Sequence, residues 1–343
     1  MGSDLLISAE HVTKWFPIRR GLSDILLKHP IRYVKAVDDV SLDIRRGEIF
    51  VLVGESGCGK TTLGKLLLRA HDLDAGRIFY EGNDISTLKG VKLKEFRETA
   101  QVIFQDPYAS LDPRFTAWDV VGEPLRVHNI GGTKEERREM IFSAMEDVRL
   151  TPPEDFLERF PHMMSGGQRQ RLAMARALVL EPKFIMADEP VSMLDLSIRA
   201  EILELMFSLK ARRKITYLYI THDLSTARYV GDEIGIMYLG KMVEIGKARE
   251  VIEKPLHPYT QALLDAVPEP EPSNRFKDRE VRITGEIPSP ANAPHGCHLH
   301  PRCPYAFDPC TARYPDFKEI LKSRKTSCYL YEPVAPTAKI KKD

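Results

Sequence analysis

The sequence predicts an α/β fold in which helices cover a mixed, mostly parallel sheet, with an antiparallel β subdomain beside it and a loop-rich segment after it. Apolar runs typical of buried parallel strands lie at Ile49 to Val53, Gln101 to Gln105, Phe184 to Glu189 and Thr216 to Thr221. Residues 5 to 16 and 33 to 44 alternate apolar with polar residues, as strands with one exposed face do. Residues 109 to 180 have a helical pattern and predict a subdomain attached to the sheet, which a hairpin over residues 233 to 246 should complete.

Size and charge limit the classes of function. The 343 residues are enough for two or three domains with a sizeable core. Lysine and arginine number 50 against 49 aspartate and glutamate, so we expect no nucleic-acid partner. The sequence has no run of about 18 apolar residues, and its first residues lack the basic start and apolar block of a signal peptide. A soluble, cytoplasmic chain is therefore expected.

A phosphate-binding loop follows the first buried strand. Gly54, four further residues, Gly59, Lys60 and Thr61 match its motif in full, which an ordinary glycine turn would not require. Lys60 is expected to reach the β- and γ-phosphates, and Thr61 to ligate Mg²⁺ at the helix N-terminus. Cys58 is expected to fill space rather than to act as a nucleophile. The nucleotide-binding set is Gly54, Glu55, Ser56, Gly57, Cys58, Gly59, Lys60, Thr61 and Thr62.

Polar side chains follow the other buried strands where those strands end. Asp188 can hold Mg²⁺, and the adjacent Glu189 can polarise an attacking water. Gln105 is the last residue of the predicted strand 101–105, where its side-chain amide leaves the sheet. His222 follows a third strand; a histidine there often has a purely structural role, but its place beside the acid pair favours function.

Ser165, Gly166, Gly167 and Gln168 immediately precede a helix predicted over residues 169 to 180. A serine and two glycines at a helix N-terminus present a hydroxyl and free N–H groups to an anion. On these residues alone, a simple helix cap is an equal alternative.

In order and spacing, these motifs resemble those of an ATP-binding cassette (ABC) ATPase. The matching segments are Gly54 to Thr61 (Walker A), Gln105 (Q-loop), Met164 to Gln168 (signature), Asp188 and Glu189 (Walker B), Asp195 (D-loop) and His222 (H-switch). Met164 replaces the usual leucine, a volume-conserving difference. The resemblance implies a P-loop NTPase core over residues 1–106 and 180–250, a helical signature subdomain over 107–179 and an extension over 251–343.

The C-terminal part of the sequence resembles one branch of this family in particular. Residues 257–264, 285–290 and 297–310 resemble the extension of oligopeptide/dipeptide importer ATPases, and residues 104–113 resemble the Q-loop region of one of the two sister subunits. This implies peptide uptake by a peripheral subunit on the cytoplasmic face of the membrane. The implied partners are a sister ATPase in a heterodimer, two permease subunits and an extracytoplasmic peptide-binding protein. A soluble ABC ATPase, or an importer of nickel or sugar, is the alternative.

The resemblance also implies how the residues share one ATP and Mg²⁺. ATP would lie between Lys60 and Thr61 of one subunit and the Ser165 to Gln168 segment of the other, with Asp195 at the dimer contact. Glu189 would activate water, His222 would contact the γ-phosphate, and Gln105 would join Thr61 and Asp188 at the metal. Independently of the resemblance, Phe16 and Tyr33 are the candidates to stack on the nucleobase, and a core position in its strand is an equal alternative for either residue.

Four cysteines, Cys297, Cys303, Cys310 and Cys328, fall within 32 residues near the C-terminus. In a reducing compartment such a group favours a metal over disulfides, although the Cys-x-x-Cys pairs of common zinc sites are missing. Four thiolates suit Zn²⁺ or a [4Fe–4S] cluster, and the resemblance favours the cluster. Unliganded structural thiols, or a mixed site with His298 and His300, are the other interpretations. The segment is also rich in proline, since 14 of 24 follow residue 250.

Overall fold

The structure is a computed structural model that describes residues 4–18, 20, 30–266 and 283–332. The loop predicted at residues 19 to 31 lies largely outside the described residues. The strands are β1 (Leu5–Pro17), β2 (Tyr33–Arg45), β3 (Ile49–Val53), β4 (Ala75–Tyr80), β5 (Asn83–Asp84), β6 (Ala100–Ile103), β7 (Phe184–Asp188), β8 (Thr216–Thr221), β9 (Glu233–Tyr238), β10 (Lys241–Lys247), β11 (Lys318–Leu321) and β12 (Arg324–Thr326).

The helices cover both sheets and form most of the segment between β6 and β7. They are α1 (Lys60–Leu67), α2 (Gly90–Thr99), α3 (Pro107–Ser110), α4 (Ala117–His128), α5 (Lys134–Asp147), α6 (Gly166–Leu178), α7 (Leu196–Arg213), α8 (Leu224–Val230), α9 (Ala248–Glu253), α10 (Pro258–Asp265) and α11 (Asp308–Ala312). Within the described residues, no helix is both long and apolar enough to cross a membrane.

Two sheets organise the molecule, as the predicted fold class requires. An antiparallel sheet has the order β2-β1-β4-β5, and an eight-stranded sheet has the order β11-β12-β10-β9-β3-β8-β7-β6. In the larger sheet β9, β3, β8, β7 and β6 are parallel, so their carboxyl ends share one edge. Loops at that edge of a parallel sheet are where ligands bind.

The central strand β3 is buried on both faces. Ile49, Val51 and Val53 pack on the side that holds the helical subdomain, while Phe50 and Leu52 pack against α1 and the antiparallel sheet. All five residues are at most 1% exposed. An uninterrupted apolar run is therefore the expected pattern for this strand.

The β9–β10 hairpin does not complete the sheet as expected, because β12 pairs with β10 and β11 pairs with β12. The four- and three-residue strands of the C-terminal segment are too short and too polar to show a strand pattern. They attach that segment to the β10 edge of the larger sheet.

The helical subdomain follows its sequence signals closely. Helices α4, α5 and α6 each begin with a capping box, formed by Thr116, Thr133 and Ser165 with the residue three positions later. In α5 the helical pattern predicted for residues 109 to 180 is confirmed, since Ile141, Ala144 and Met145 form a buried apolar stripe. Helix α2 was not predicted, because Phe96 is the one buried residue in its ten described positions and gives no apolar stripe.

Candidate functional site

The phosphate-binding loop joins β3 to α1 and is shaped by two close approaches. A Cβ atom at Gly54 would lie 2.3 Å from the Met237 carbonyl oxygen, and one at Gly59 would lie 2.0 Å from that of Ala36. Both glycines also have positive φ angles, 157° and 110°. Only glycine fits these positions, so the backbone can fold over the N-terminus of α1.

Lys60 is the first residue of α1 and its ammonium is folded back into the loop. The Nζ atom donates to the carbonyl oxygens of Gly54 at 2.7 Å and Glu55 at 3.1 Å. Cys58 lies beneath the loop, 3% exposed, and burial raises the pKa of its thiol. A protonated, buried thiol is a poor nucleophile, which agrees with its predicted space-filling role.

Thr61 and Asp188 meet at the carboxyl edge of the parallel strands. The Thr61 hydroxyl donates to Asp188 Oδ1 at 3.2 Å, although the two residues are 127 positions apart. Burial raises the pKa of the Asp188 carboxyl, and the Thr61 hydrogen bond lowers it by less. A hydroxyl and a carboxylate in contact are oxygen ligands of the kind that Mg²⁺ takes, so these residues fit the ion.

Glu189, next to Asp188, is held between the two other predicted residues. Gln105 Nε2 donates to Glu189 Oε2 at 3.1 Å, and His222 Nδ1 lies 3.0 Å from Glu189 Oε1. The Glu189 side chain is 16% exposed and that of His222 is 62% exposed. The carboxylate is therefore oriented at both oxygens while its histidine partner remains open to a ligand.

A cleft of about 800 Å³ collects these groups, a size suited to a nucleotide. Its lining consists of Phe16, Val34, Ala36, Glu55, Ser56, Gly57, Gly59, Lys60, Thr61, Thr62, Gln105, Asp188, Glu189 and His222. Of the two aromatic candidates Phe16 lines the cleft, whereas Tyr33 packs near Trp15, with ring centroids 6.3 Å apart. Val34 and Ala36 were missed, although period-two alternation from Tyr33 places both on the opposite face of β2.

The signature segment lies outside this cleft. Ser165 caps α6: its hydroxyl accepts from the Gln168 N–H at 3.3 Å, and Gln168 Oε1 accepts from the Ser165 N–H at 3.0 Å. Gly166 and Gly167 form the first turn, and a Cβ atom at Gly166 would lie 3.6 Å from Leu194. Asp195 begins α7 without a side-chain capping bond. The signature and the D-loop are thus neighbours, separate from the chain's own phosphate loop.

All four C-terminal cysteines line one small, largely apolar cavity, together with His257 and His300. They form no disulfide. Burial raises the pKa of the Cys297 and Cys328 thiols to about 12 and that of Cys303 to about 11. Among the described residues, no three histidine, cysteine or acidic side chains are arranged to hold a metal ion. Four cysteines in one cavity are residue types that bind a metal as thiolates, but their side chains are not placed in a coordination geometry.

Comparisons with known proteins agree with this site. The family model for ABC transporters matches residues 37–192, and that for the C-terminal region of oligopeptide/dipeptide transporters matches residues 243–310. The oligopeptide transport ATP-binding protein AppF of Bacillus subtilis (strain 168) is 45% identical over 329 residues, covering 96% of this chain and 98% of AppF.

The chain belongs to the ABC transporter family, in its oligopeptide/dipeptide branch. A probable peptide ABC transporter ATP-binding protein of Sinorhizobium fredii, y4tS, is 42% identical over 97% of the chain and 92% of that protein. The fold, with its mixed sheet, antiparallel subdomain and helical subdomain, is that of an ABC ATPase. This cassette is an ATPase.

Solved cassettes match the nucleotide-binding part. CbiO1 from Clostridium perfringens, part of a cbiONQ transporter complex, matches with a TM-score of 0.62 and 25% identity over 74% of this chain and 92% of that one. The post-hydrolysis dimer of the cassette MJ0796, bound to ADP and phosphate, matches with a TM-score of 0.61 and 29% identity over 71% and 99% of the two chains.

Two residues at this cassette's phosphate loop were not predicted from the sequence. Tyr259 and Arg302, both from the C-terminal extension, contact Glu55, the second residue of the loop. Tyr259 lies in residues 257–264, which resemble the importer extension but carry no sign of a contact with the phosphate loop. No local pattern marks either residue, because their partner lies more than 200 positions away in the chain.

Proposed function

We propose that the chain hydrolyses MgATP in this cleft to power uptake of di- or oligopeptides across the cytoplasmic membrane. The observation that carries the proposal is the Glu189 carboxylate, fixed by Gln105 and His222 beside the Thr61 and Asp188 oxygens. Peptide as the cargo is supported by the names of the relatives and by the matched importer extension.

Each group of the cleft has a task in phosphoryl transfer. The loop N–H groups and Lys60 bind the phosphates, and Phe16 stacks on the nucleobase. Mg²⁺, held by Thr61, Asp188 and Gln105, would neutralise charge on the transferred phosphate. Glu189, whose two carboxylate oxygens contact Gln105 and His222, would orient the attacking water and accept its proton. His222, mostly exposed, contacts the γ-phosphate.

The functional unit contains more than this chain. Ser165, Gly166, Gly167 and Gln168 lie outside the chain's own cleft, so we assign them to ATP held by a sister ATPase in a heterodimer. Asp195 would lie at the dimer contact. Two permease subunits would bind the cassette at the cytoplasmic face of the membrane, and an extracytoplasmic protein would deliver peptide. The negative charge of the γ-phosphate would be neutralised by groups from both subunits. The nucleotide would therefore hold the dimer together.

Glu189→Gln tests the function in the assembled transporter reconstituted in proteoliposomes. The amide keeps the size of the side chain but accepts no proton. MgATP binding should be retained, while ATP turnover and peptide uptake fall by at least about 100-fold. Glu181→Gln is the matched control, since Glu181 is a surface residue paired with Arg213. Turnover of the Glu189 variant at the wild-type rate would remove this residue from its role.

The cysteine cavity is proposed to hold a [4Fe–4S] cluster, with Zn²⁺ as the alternative metal. All four cysteines line one cavity, and burial raises the pKa of each thiol, so near neutral pH a metal cation would have to displace the protons. Cys297, Cys303, Cys310 and Cys328 would be the ligands.

Metal and sulfide analysis of anaerobically purified protein tests the cluster. We expect four iron and four sulfide per chain, a number set by the cluster itself, with visible sulfide-to-iron absorbance. Cys310→Ser should lose the iron, whereas Cys58→Ser, in the phosphate loop, should keep it. A colourless protein with one zinc per chain would establish the alternative, and a metal-free protein would leave four structural thiols.

A further inference from the structure

The C-terminal extension reaches the phosphate loop through a buried tyrosine. Tyr259, in the first turn of α10, is 1% exposed, and its hydroxyl accepts a hydrogen bond from the Glu55 N–H at 3.0 Å. Its ring packs against that of Tyr238 at the end of β9, with 4.6 Å between the centroids. The hydroxyl is therefore held in place from behind by a second buried ring.

This hydrogen bond fixes the peptide unit that also holds the phosphate-binding lysine. The Glu55 N–H and the Gly54 carbonyl belong to one planar peptide unit, so the direction of one sets the direction of the other. The Gly54 carbonyl accepts from Lys60 Nζ at 2.7 Å. Tyr259 at one end and Lys60 at the other thus determine how this peptide is turned.

Arg302 makes a second contact at the same place. Its Nη1 atom donates to the Tyr238 hydroxyl at 3.3 Å and lies 3.6 Å from Glu55 Oε2. That carboxylate oxygen is buried and accepts no hydrogen bond from any residue that the structure describes. The Glu55 side chain is 28% exposed, so Arg302 supplies the nearby cation on the side of the carboxylate that water does not reach, and it joins that carboxylate to Tyr238.

We propose that Tyr259 and Arg302 are positioning residues of the nucleotide site. They hold the peptide between Gly54 and Glu55 in the orientation that receives Lys60, and the C-terminal extension thereby sets the affinity of the cleft for a nucleotide polyphosphate. The inference rests on the proposed phosphate-binding role of Lys60. A loop ordered before binding leaves less conformational entropy to be lost when the nucleotide arrives.

Tyr259→Phe in the full-length chain tests the inference, because it removes the hydroxyl and keeps the ring. The dissociation constant for MgATP, measured by titration calorimetry, should rise roughly three- to tenfold, the effect of losing one hydrogen bond. In the assembled transporter KM for ATP should rise by the same factor while kcat stays near the wild-type value. Arg302→Met should also raise the dissociation constant for MgATP. In the double variant the increase should be smaller than the product of the two single increases, because both residues act on Glu55.

Tyr331→Phe is the matched control. Tyr331 also belongs to the extension, and its hydroxyl donates to the Leu256 carbonyl at 2.9 Å, away from the phosphate loop. It should leave the MgATP affinity unchanged, while thermal unfolding without nucleotide reports any general loss of stability. Wild-type affinity in Tyr259→Phe, or equal weakening in both tyrosine variants, would overturn the inference.

Lys60→Ala separates this inference from the function on which it rests. MgATP binding should be lost in that variant, because the ammonium that contacts the β- and γ-phosphates is removed. If it is lost while Tyr259→Phe binds normally, the positioning role alone is wrong. If Lys60→Ala itself binds MgATP normally, the phosphate site has been misassigned and the inference falls with it.

Discussion

Glu189 leaves β7 with a left-handed backbone, φ 46°, which costs a non-glycine residue about 1–3 kcal/mol. Its N–H donates to the Ile220 carbonyl at 2.9 Å, so the turn is held against β8. The turn sends two adjacent carboxylates in different directions, Asp188 to Thr61 and Glu189 to Gln105. Asp188 is then placed to ligate a metal ion, and Glu189 is free to orient a water molecule.

His257 makes the stability of the extension dependent on pH. It is 1% exposed, and its Nδ1 accepts from the Tyr259 N–H at 3.1 Å, so protonation would replace an acceptor with a donor. Burial lowers its pKa from 6.5 to about 3. Between these values the unfolded chain binds more protons than the folded one, so the free energy of unfolding falls as the pH falls. From about pH 7 to about pH 5 we expect a loss of about 2 kcal/mol from this residue, measured by urea unfolding.

His257→Asn is the comparison, since an asparagine oxygen can cap α10 without titrating. Near pH 7 the variant loses stability, but its loss on acidification should be smaller than that of the wild type by about 2 kcal/mol. Other titratable groups lie near His257: Glu244 accepts a hydrogen bond from its N–H, and the four C-terminal cysteines line the same cavity. These groups are unchanged in the variant, so they cancel in the comparison with the wild type. His298, whose pKa burial and Lys241 lower to about 4, also remains. Equal pH dependence in both proteins would contradict the prediction.

Strand ends explain why most of the candidate site could be predicted. Gln105, Asp188 and His222 follow β6, β7 and β8, three neighbouring strands of one parallel sheet. These strands are consecutive along the chain and side by side in the sheet, and because parallel strands end at one edge, a local pattern at each strand end was enough to bring distant residues together. The contact between Thr61 and Asp188 was predictable for the same reason.

The attachment of the C-terminal extension could not be predicted in this way. Arg324, on β12, donates to the Glu244 carboxylate of β10 at 2.7 Å, and both side chains are at most 4% exposed. Glu244 also accepts from the N–H groups of Leu256 and His257, so the charge is hydrogen-bonded on several sides. A single acid in an apolar strand and a single arginine 80 positions later carry no local signal of their pairing.

At the scale of the whole molecule, the surface around Asp195 and the signature segment carries exposed apolar side chains. Met193 and Leu196, on either side of Asp195, are 60% and 82% exposed, and the signature helix begins next to them. Under the proposed function, this surface is the one that a sister ATPase would cover, with the shared nucleotide against the N-terminus of the signature helix.

Gly166→Asp should prevent that sharing without damaging the chain's own cleft. A Cβ atom at Gly166 meets only an ordinary contact, 3.6 Å from Leu194, and an acidic residue in the first turn of α6 favours the helix. Its charge would oppose the γ-phosphate bound by the partner. In analytical ultracentrifugation with Mg²⁺ and a non-hydrolysable ATP analogue, the wild-type chain should associate with its sister ATPase and the variant should remain monomeric. Nucleotide binding to the isolated variant should match the wild type, because Gly166 is not part of the cleft lining. Association of the variant with wild-type affinity would show that the signature segment does not face the shared nucleotide.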